Sequence, residues 1–449
     1  MLKLPRTTVT AIILLNLLGG CAVLDPHRVV ARRLDHLGQG AAPLTTETRI
    51  AAFNEVWETI NERYLDPSFN GVDWKAVGER YREAALAAAD DRAFWRQLDK
   101  MAGELRDSHT RVESPERYEL LRKARVASIG VSINLDGDTI YLDAVRMGSE
   151  AWLKGLRPGM KVVKIDQVDA TRWWTQNEAD ARKGSTPQTA ARYINALLSA
   201  SSGDSRTLTI ANESGSRDIV LMRNVYDAPA SISAQKLAGN IGYLRFTGFS
   251  ADIRTATLEG LASLKQSKGL IIDLRGNPGG DLRFARTFVD QFFKGHRDGG
   301  QSQTRDGKPV SMLLGMITLV PEKMDIEGVD QPLEQPVVIL QNSSSGSASE
   351  FTASMLQDSG RVRVVGEVSC GCLLGFLGLK PIIGGGALAY SELGFTSPKG
   401  RRIEGMGVQP DVLVRPTYAQ LAAGRDPQFE AALDELNRMI AEKAEKKPS

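Results

Sequence analysis

Apolar positions follow three different rhythms along the chain. Between Glu47 and Leu105 they recur at helical spacing: Ile50, Phe53, Trp57, Ile60 and Tyr64, then, after a break at Asp66-Pro67, Trp74, Val77 and Tyr81, and finally Phe94, Leu98 and Met101. A small helical domain over residues 47–125 is predicted. From Val126 to Arg223 the rhythm shortens to strands at Ile129–Ile133, Thr139–Val145, Val162–Ile165 and Thr207–Ala211. A short helix opening at Gly148-Ser149-Glu150-Ala151 and a longer one from Gln188 to Leu198 interrupt them, which predicts a β-rich unit over 126–225. Beyond Ala234, strands (Ile241–Phe246, Gly269–Arg275, Val337–Leu340) alternate with helices (Thr255–Lys265, Leu282–Phe293, and one after Ser347). That alternation predicts a layered, mainly parallel α/β core over 226–435, because each uninterrupted apolar strand must be buried on both faces. The stretch from Lys294 to about Gln335 reads as a long polar loop. A helix from Asp426 runs into a charged tail, residues 436–449.

The chain has 449 residues, enough for about two to four domains. With a net charge of +2 and no basic patch interleaved with aromatics, nucleic acid is not an expected partner. The first 20 residues carry Lys3 and Arg6 and then the apolar run Val9–Leu18, broken only by Thr10 and Asn16. That run is too short to span a bilayer and reads as an export signal. Leu18-Gly19-Gly20-Cys21 resembles the bacterial lipobox, which implies lipidation of Cys21. Ala22, not Asp, follows, and by the same resemblance this favours a periplasm-facing outer-membrane anchor. The alternative is an ordinary secretory signal with an incidental Cys. Residues 21–46 read as a polar tether, with His27 and His36 solvated. Cys370 and Cys372 form a C-x-C pair open to three readings: a disulfide, a redox pair, or two small buried hydrophobes. With no His or further Cys at ligand spacing, neither a metal nor a cofactor is expected.

Three segments carry candidate chemistry. Ser347 falls where the strand Val337–Leu340 gives way to a helix, and N–H groups at a helix start can bind an oxyanion; equally, Ser and Gly fill turns and cap helices. His109, in Leu105-Arg106-Asp107-Ser108-His109-Thr110, is either a structural hydrogen-bonder or a base. The Gly276–Gly280 loop after the strand Gly269–Arg275 is a tight turn that also lets backbone approach another group closely.

Five segments in order, LRDSHT, the β-rich region, GLIIDLRGNPGG, NSSSGSASEFTASMLQDSGRVRVVGE and EGMGVQPDVLV, resemble the C-terminal processing (tail-specific) serine proteases and their tricorn-like relatives over about residues 47–435. The resemblance implies a crotonase-like α/β protease core, an N-terminal helical domain and an inserted PDZ domain. GSEAWLKGLRPGMKVVKID is the part most similar to a PDZ, and Ile129, Gly130 and Val131 would form its peptide-binding loop and strand edge. It further implies Ser347 as nucleophile, with Ser349 a nearby alternative, and oxyanion donors from Ala348 and from Gly279 or Gly280. Where the processing branch has a basic Lys this chain has Cys372, which excludes a Ser/Lys dyad. The tricorn-like branch supplies a His instead. Ser108-His109 and Glu404, ahead of Gly-Met-Gly-Val-Gln-Pro-Asp411, match its pattern, which implies His109 as general base and acid with Ser108 and Glu404 orienting it. The expected protein is an exported, lipid-anchored serine endopeptidase acting on polypeptides through an acyl-enzyme. The rivals are a catalytically silent peptide-binding lipoprotein scaffold and a cysteine hydrolase using Cys372.

Overall fold

The computed structural model describes residues 44–445 apart from 185, 200–204, 213 and 214, together with Leu24, Asp25, His27, Val29 and Arg32. The export signal, Cys21, His36 and the last residues of the chain lie outside the described residues.

A six-stranded sheet forms the centre, in the order Ile232–Leu237, Ile241–Phe246, Gly269–Asp273, Val337–Gln341, Arg363–Gly366, Val412–Leu413. The first pair is antiparallel and every other pair parallel. Successive side chains leave opposite faces of a strand. Val337, Ile339, Leu270 and Ile272 therefore enter one core with Phe284, Phe288, Phe351 and Met355, while Val338, Leu340 and Ile271 meet Ala432 and Leu436 on the other face. Two covered faces explain why these strands are apolar throughout. The covering helix, Pro427–Glu445, takes in most of the stretch expected to be a charged tail. Leu436 is buried because it packs on the sheet, and an ideal Cβ at Gly269 would lie 2.8 Å from its Cδ1.

The helical layer comprises Thr46–Arg63, Trp74–Leu86 and Asp91–Gly103, whose starts are capped by the side chains of Thr45, Asp73 and Asp90. Its core is not self-contained. Ile382, Leu388 and Tyr390 close it, and the strand Arg111–Glu113 pairs antiparallel with Ala387–Ala389. This pairing brings the His109 segment against the C-terminal part of the chain. The β-rich insert buries Trp173 and Trp174, on a helix Ala170–Asp180 that the apolar pattern did not reveal, against Ile133, Leu142 and Ile194.

Two expectations are corrected. The segment read as a solvated tether is docked at Arg32, which is buried and makes a two-pronged ion pair with Glu392, at 2.6 and 2.7 Å. The loop read as polar, 294–335, contains the antiparallel hairpin Val310–Met312 and Ile317–Val320 with an apolar tip.

Candidate active site

The strand Val337–Gln341 ends at Asn342, and a loop of small residues leads to the helix Ala348–Asp358. Ser347, the residue before that helix, is held at φ 54° and ψ −118°, a conformation that L-residues rarely adopt. The surrounding hydrogen bonds enforce it. The Ser347 N–H donates to the Cys372 carbonyl (2.9 Å) and to Glu350 Oε2 (3.0 Å). Neighbouring serines are structural: Ser345 Oγ donates to the Leu274 carbonyl (2.8 Å) and Ser349 Oγ to the Asn277 carbonyl (2.9 Å). Ser349 is buried and so committed, which removes it as the alternative nucleophile.

Asn277 joins this turn to the glycine loop. Fully buried, it receives the Gly346 N–H (3.0 Å) on its carbonyl and the Gly279 N–H (2.9 Å) on Oδ1, and donates through Nδ2 to the Phe246 carbonyl (3.0 Å). An ideal Cβ at Gly279 would lie 2.6 Å from both the Ala348 nitrogen and the Ser347 Cβ, so only glycine allows this approach. Of the expected oxyanion donors, the Gly279 N–H is thus already engaged. The Ala348 N–H stands in the first turn of a helix, where no carbonyl of that helix can receive it. Gly280, at φ 143°, follows immediately after Gly279 and bridges to Phe249.

Two buried carboxylates clamp the segment that replaces the family's lysine. Glu350 receives Ser369 Oγ (2.5 Å) and the N–H groups of Gly371 (2.7 Å) and Cys372 (2.9 Å); Glu404 Oε2 receives those of Leu373 (2.6 Å) and Leu374 (3.1 Å). Burial raises the pKa of both, with Asp107 and Glu350 adding to the rise at Glu404. Glu404 Oε1 is buried without a hydrogen-bond partner, and among the described residues no hydrogen bond joins Glu404 to His109. Cys370 and Cys372 form a disulfide across Gly371, with Cα atoms 5.2 Å apart. In this state Cys372 carries no free thiolate, which disfavours the cysteine-hydrolase reading. Neither Asn277 nor Glu350 was assigned a role from sequence, although Ser347-x-x-Glu350 has the spacing of a capping box.

His109 follows a buried turn. Asp107 Oδ1 accepts the His109 N–H (2.7 Å), Asp107 Oδ2 accepts Thr110 Oγ1 (2.5 Å), and the Ser391 N–H donates to that same hydroxyl (3.0 Å). The ring lies 5.9 Å from that of Phe376, and its Nδ1 is buried without a hydrogen-bond partner among the described residues. Burial pushes the imidazole pKa down to about 4; Asp107 opposes this, while Arg111 and Arg192 reinforce it. The field of Arg192 reaches both His109 and Glu350, and Glu404 feels both Asp107 and Glu350. The His109 and Ser347 segments thus share charged neighbours, although among the described residues no hydrogen bond joins the Ser347 hydroxyl to the ring. Ser108 is half-buried between Asp107 and His109.

Of the expected peptide-binding residues, Ile129 and Val131 turn their side chains into the core of the insert. The Gly130 N–H donates to Ser128 Oγ (2.7 Å). Along the adjoining strand Val131–Asp136, the Asn195 side chain, on the helix Pro187–Ser199, both accepts from the Ile133 N–H (2.8 Å) and donates to its carbonyl (2.8 Å). That stretch of strand edge is occupied from within.

A model of peptidase family S41 matches residues 240–414, the layered core, and one of the tricorn protease C1 domain matches 46–103, the helical layer. The chain is 27% identical over 402 residues to a carboxyl-terminal-processing protease of Picosynechococcus, covering 86% of this chain and 88% of the relative. It is 24% identical to a carboxy-terminal-processing protease of Bartonella bacilliformis, covering 85% and 78%. Among solved structures, the photosystem II D1 C-terminal processing protease superposes with a TM-score of 0.53 at 23% identity, covering 83% of this chain and 94% of that one. Mature CPAF superposes at 0.61 with 13% identity, covering 88% and 97%; these two likenesses establish the shared fold. Both domain matches fall on the layers that supply Ser347 and flank His109, and the layered core carries a peptidase family S41 domain, that of serine-type peptidases.

Proposed function

We propose that this protein is an exported, lipid-anchored endopeptidase of the carboxyl-terminal-processing kind, with a crotonase-like core and a PDZ-like insert that receives polypeptide tails. The observation that carries the reading is the conformation of Ser347, locked at positive φ between a helix start and a glycine loop, beside a segment whose imidazole is held neutral. In this reading Ser347 Oγ attacks the scissile carbonyl and its proton passes to His109. The oxyanion receives the N–H groups of Ala348 and Gly280; losing one such donor typically costs about 10² to 10³ in rate. Collapse breaks the C–N bond, His109 returns the proton to the leaving amine, and water then hydrolyses the ester by the same route reversed. Glu404 acts by fixing the Leu373-Leu374 backbone, and Ser108 steadies the ring from its own turn. Closing of the site on a substrate brings the ring within reach of Oγ, as apo geometry often loosens such contacts. The match of LGGC to a lipobox supports anchoring through Cys21.

Turnover of an unfolded protein substrate is the test. Ser347→Ala and His109→Ala each reduce kcat/KM at least a hundredfold while the thermal transition is retained. Equal turnover by wild type and both variants would remove Ser347 and His109 as the catalytic pair. The mass of the mature N-terminal peptide checks the anchor, which requires acylated Cys21.

A further inference from the structure

The hairpin Val310–Met312 and Ile317–Val320 stands outside the chemistry described so far. From Pro309 to Pro321 the chain reads PVSMLLGMITLVP, without a single charge. Its tip exposes four apolar side chains in a row around one glycine: Leu313, Leu314 (71%), Met316 (77%) and Ile317. Leu313 and Leu314 also have positive φ, 51° and 58°, where Gly, Asn or Asp is the usual choice. Two leucines there are unfavourable twice, once through backbone strain and once through exposure to water. A partner that takes up apolar surface would relieve the second cost.

What that partner is follows from the neighbour of the tip. The Leu313 N–H donates to the carbonyl of Leu24 (2.8 Å), three residues after Cys21. Three residues span at most about 10 Å, so an acyl group on Cys21 would leave the protein beside Leu313. Lys308 and Lys323, at the base of the hairpin, are exposed, as are Asp306 and Glu322 beside them, so the apolar tip and not charge carries the contact with lipid. We infer that residues 313–317 form a finger that inserts into the lipid bilayer next to the acylated N-terminus and fixes the orientation of the peptidase on the membrane. This rests on the anchoring at Cys21 and adds to it a second, protein-borne membrane contact, as stable attachment commonly uses two signals.

Native methionines provide the test. Met316 and Met147 are nearly equally exposed, 77% and 79%, and Met147 lies on the β-rich insert. The mature full chain is bound to phosphatidylethanolamine–phosphatidylglycerol vesicles at about one chain per vesicle and treated with peroxymonosulfate, an anion excluded from the acyl region. Peptide mass spectrometry follows sulfoxide formation. Met316 is expected to oxidise at least tenfold more slowly than Met147, and Leu314→Asp to restore the Met316 rate while turnover of a soluble substrate is unchanged. Equal rates at Met316 and Met147 in the wild type overturn the finger, whatever the N-terminal mass. Protection that appears only at many chains per vesicle also overturns it, since a second copy then covers the tip. Protected Met316 with unmodified Cys21 overturns the anchor alone and leaves the finger standing.

Discussion

His109 sits where burial, not a hydrogen bond, sets its protonation. Its backbone is fixed by Asp107, its Nδ1 has no hydrogen-bond partner among the described residues, and burial with two arginines nearby holds the ring pKa down to about 4. A base is useful only when unprotonated, so for the role proposed for His109 this environment would keep the ring ready across the whole neutral range. An NMR titration of the ring should have its midpoint near 4, and a midpoint between 6 and 7 would contradict this account. The linkage has a definite sign. The unfolded chain binds this proton near 6.5 and the folded one near 4, so the stability at stake is fully present above 6.5 and lost as pH falls toward 4. The amount is on the order of 3 to 4 kcal/mol at about 1.4 kcal/mol per pKa unit. Glu350 and Glu404, whose pKa values burial raises, work the other way: their stabilising contribution is lost as pH rises through the raised values. A melting curve alone therefore mixes opposing slopes, which is why the ring itself must be observed.

At the level of elements, the active-site turn depends on two loops closing on each other, and the glycines of one loop separate close approach from mere turn-making. Gly276 and Gly279 both have positive φ, 72° and 98°, but a Cβ at Gly276 meets nothing within 4 Å, whereas one at Gly279 runs into Ser347 and Ala348. Gly276→Ala should therefore cost about 1 to 2 kcal/mol of strain and keep its turnover. Gly279→Ala should lose at least a hundredfold in kcat/KM; similar kcat/KM for the two variants would show that the loops need not touch. The sequence carried the strand, the turn and the helix around Ser347 in its apolar spacing, because those are local. It did not carry Asn277, Glu350 or the occupied strand edge, since each is one polar residue whose partners lie 19 to 72 positions away or on another element. The hairpin tip was misread for a different reason: polar flanks masked a short uncharged run. Asn195 yields a prediction on the same footing. Asn195→Ala releases the Ile133 N–H and carbonyl, and a tail peptide that adds to this edge should bind several-fold tighter by titration calorimetry. Unchanged affinity would place peptide binding elsewhere.

Across the whole molecule, the His109 segment is held by all three layers, and Arg182 is where they meet. This residue of the β-rich insert is 8% exposed. It donates to the Thr110 carbonyl (2.7 Å) and the Asp107 carbonyl (3.3 Å), pairs with Asp99 of the helical layer (3.5 Å), and lies over the Tyr193 ring at 4.6 Å. Thr110 in turn receives the Ser391 N–H from the C-terminal part of the chain. A planar guanidinium can serve these partners together; an ammonium on a flexible stem cannot. Arg182→Lys should accordingly reduce kcat more than tenfold and slow phosphonate labelling of Ser347 alike, because the imidazole loses its fixed position while substrate contacts remain. The neighbouring Lys183 provides the control. Its ion pair with Glu104 (2.6 Å) is half exposed on the lysine side, and Lys183→Ala should shift stability by no more than about 1 kcal/mol and leave kcat unchanged. If Arg182→Lys matched wild type in both kcat and labelling, the insert would be a passenger and not a support of the site. If it behaves as expected, movement of the insert on binding a polypeptide tail has a direct mechanical route to His109, through a single side chain that contacts its segment on both sides.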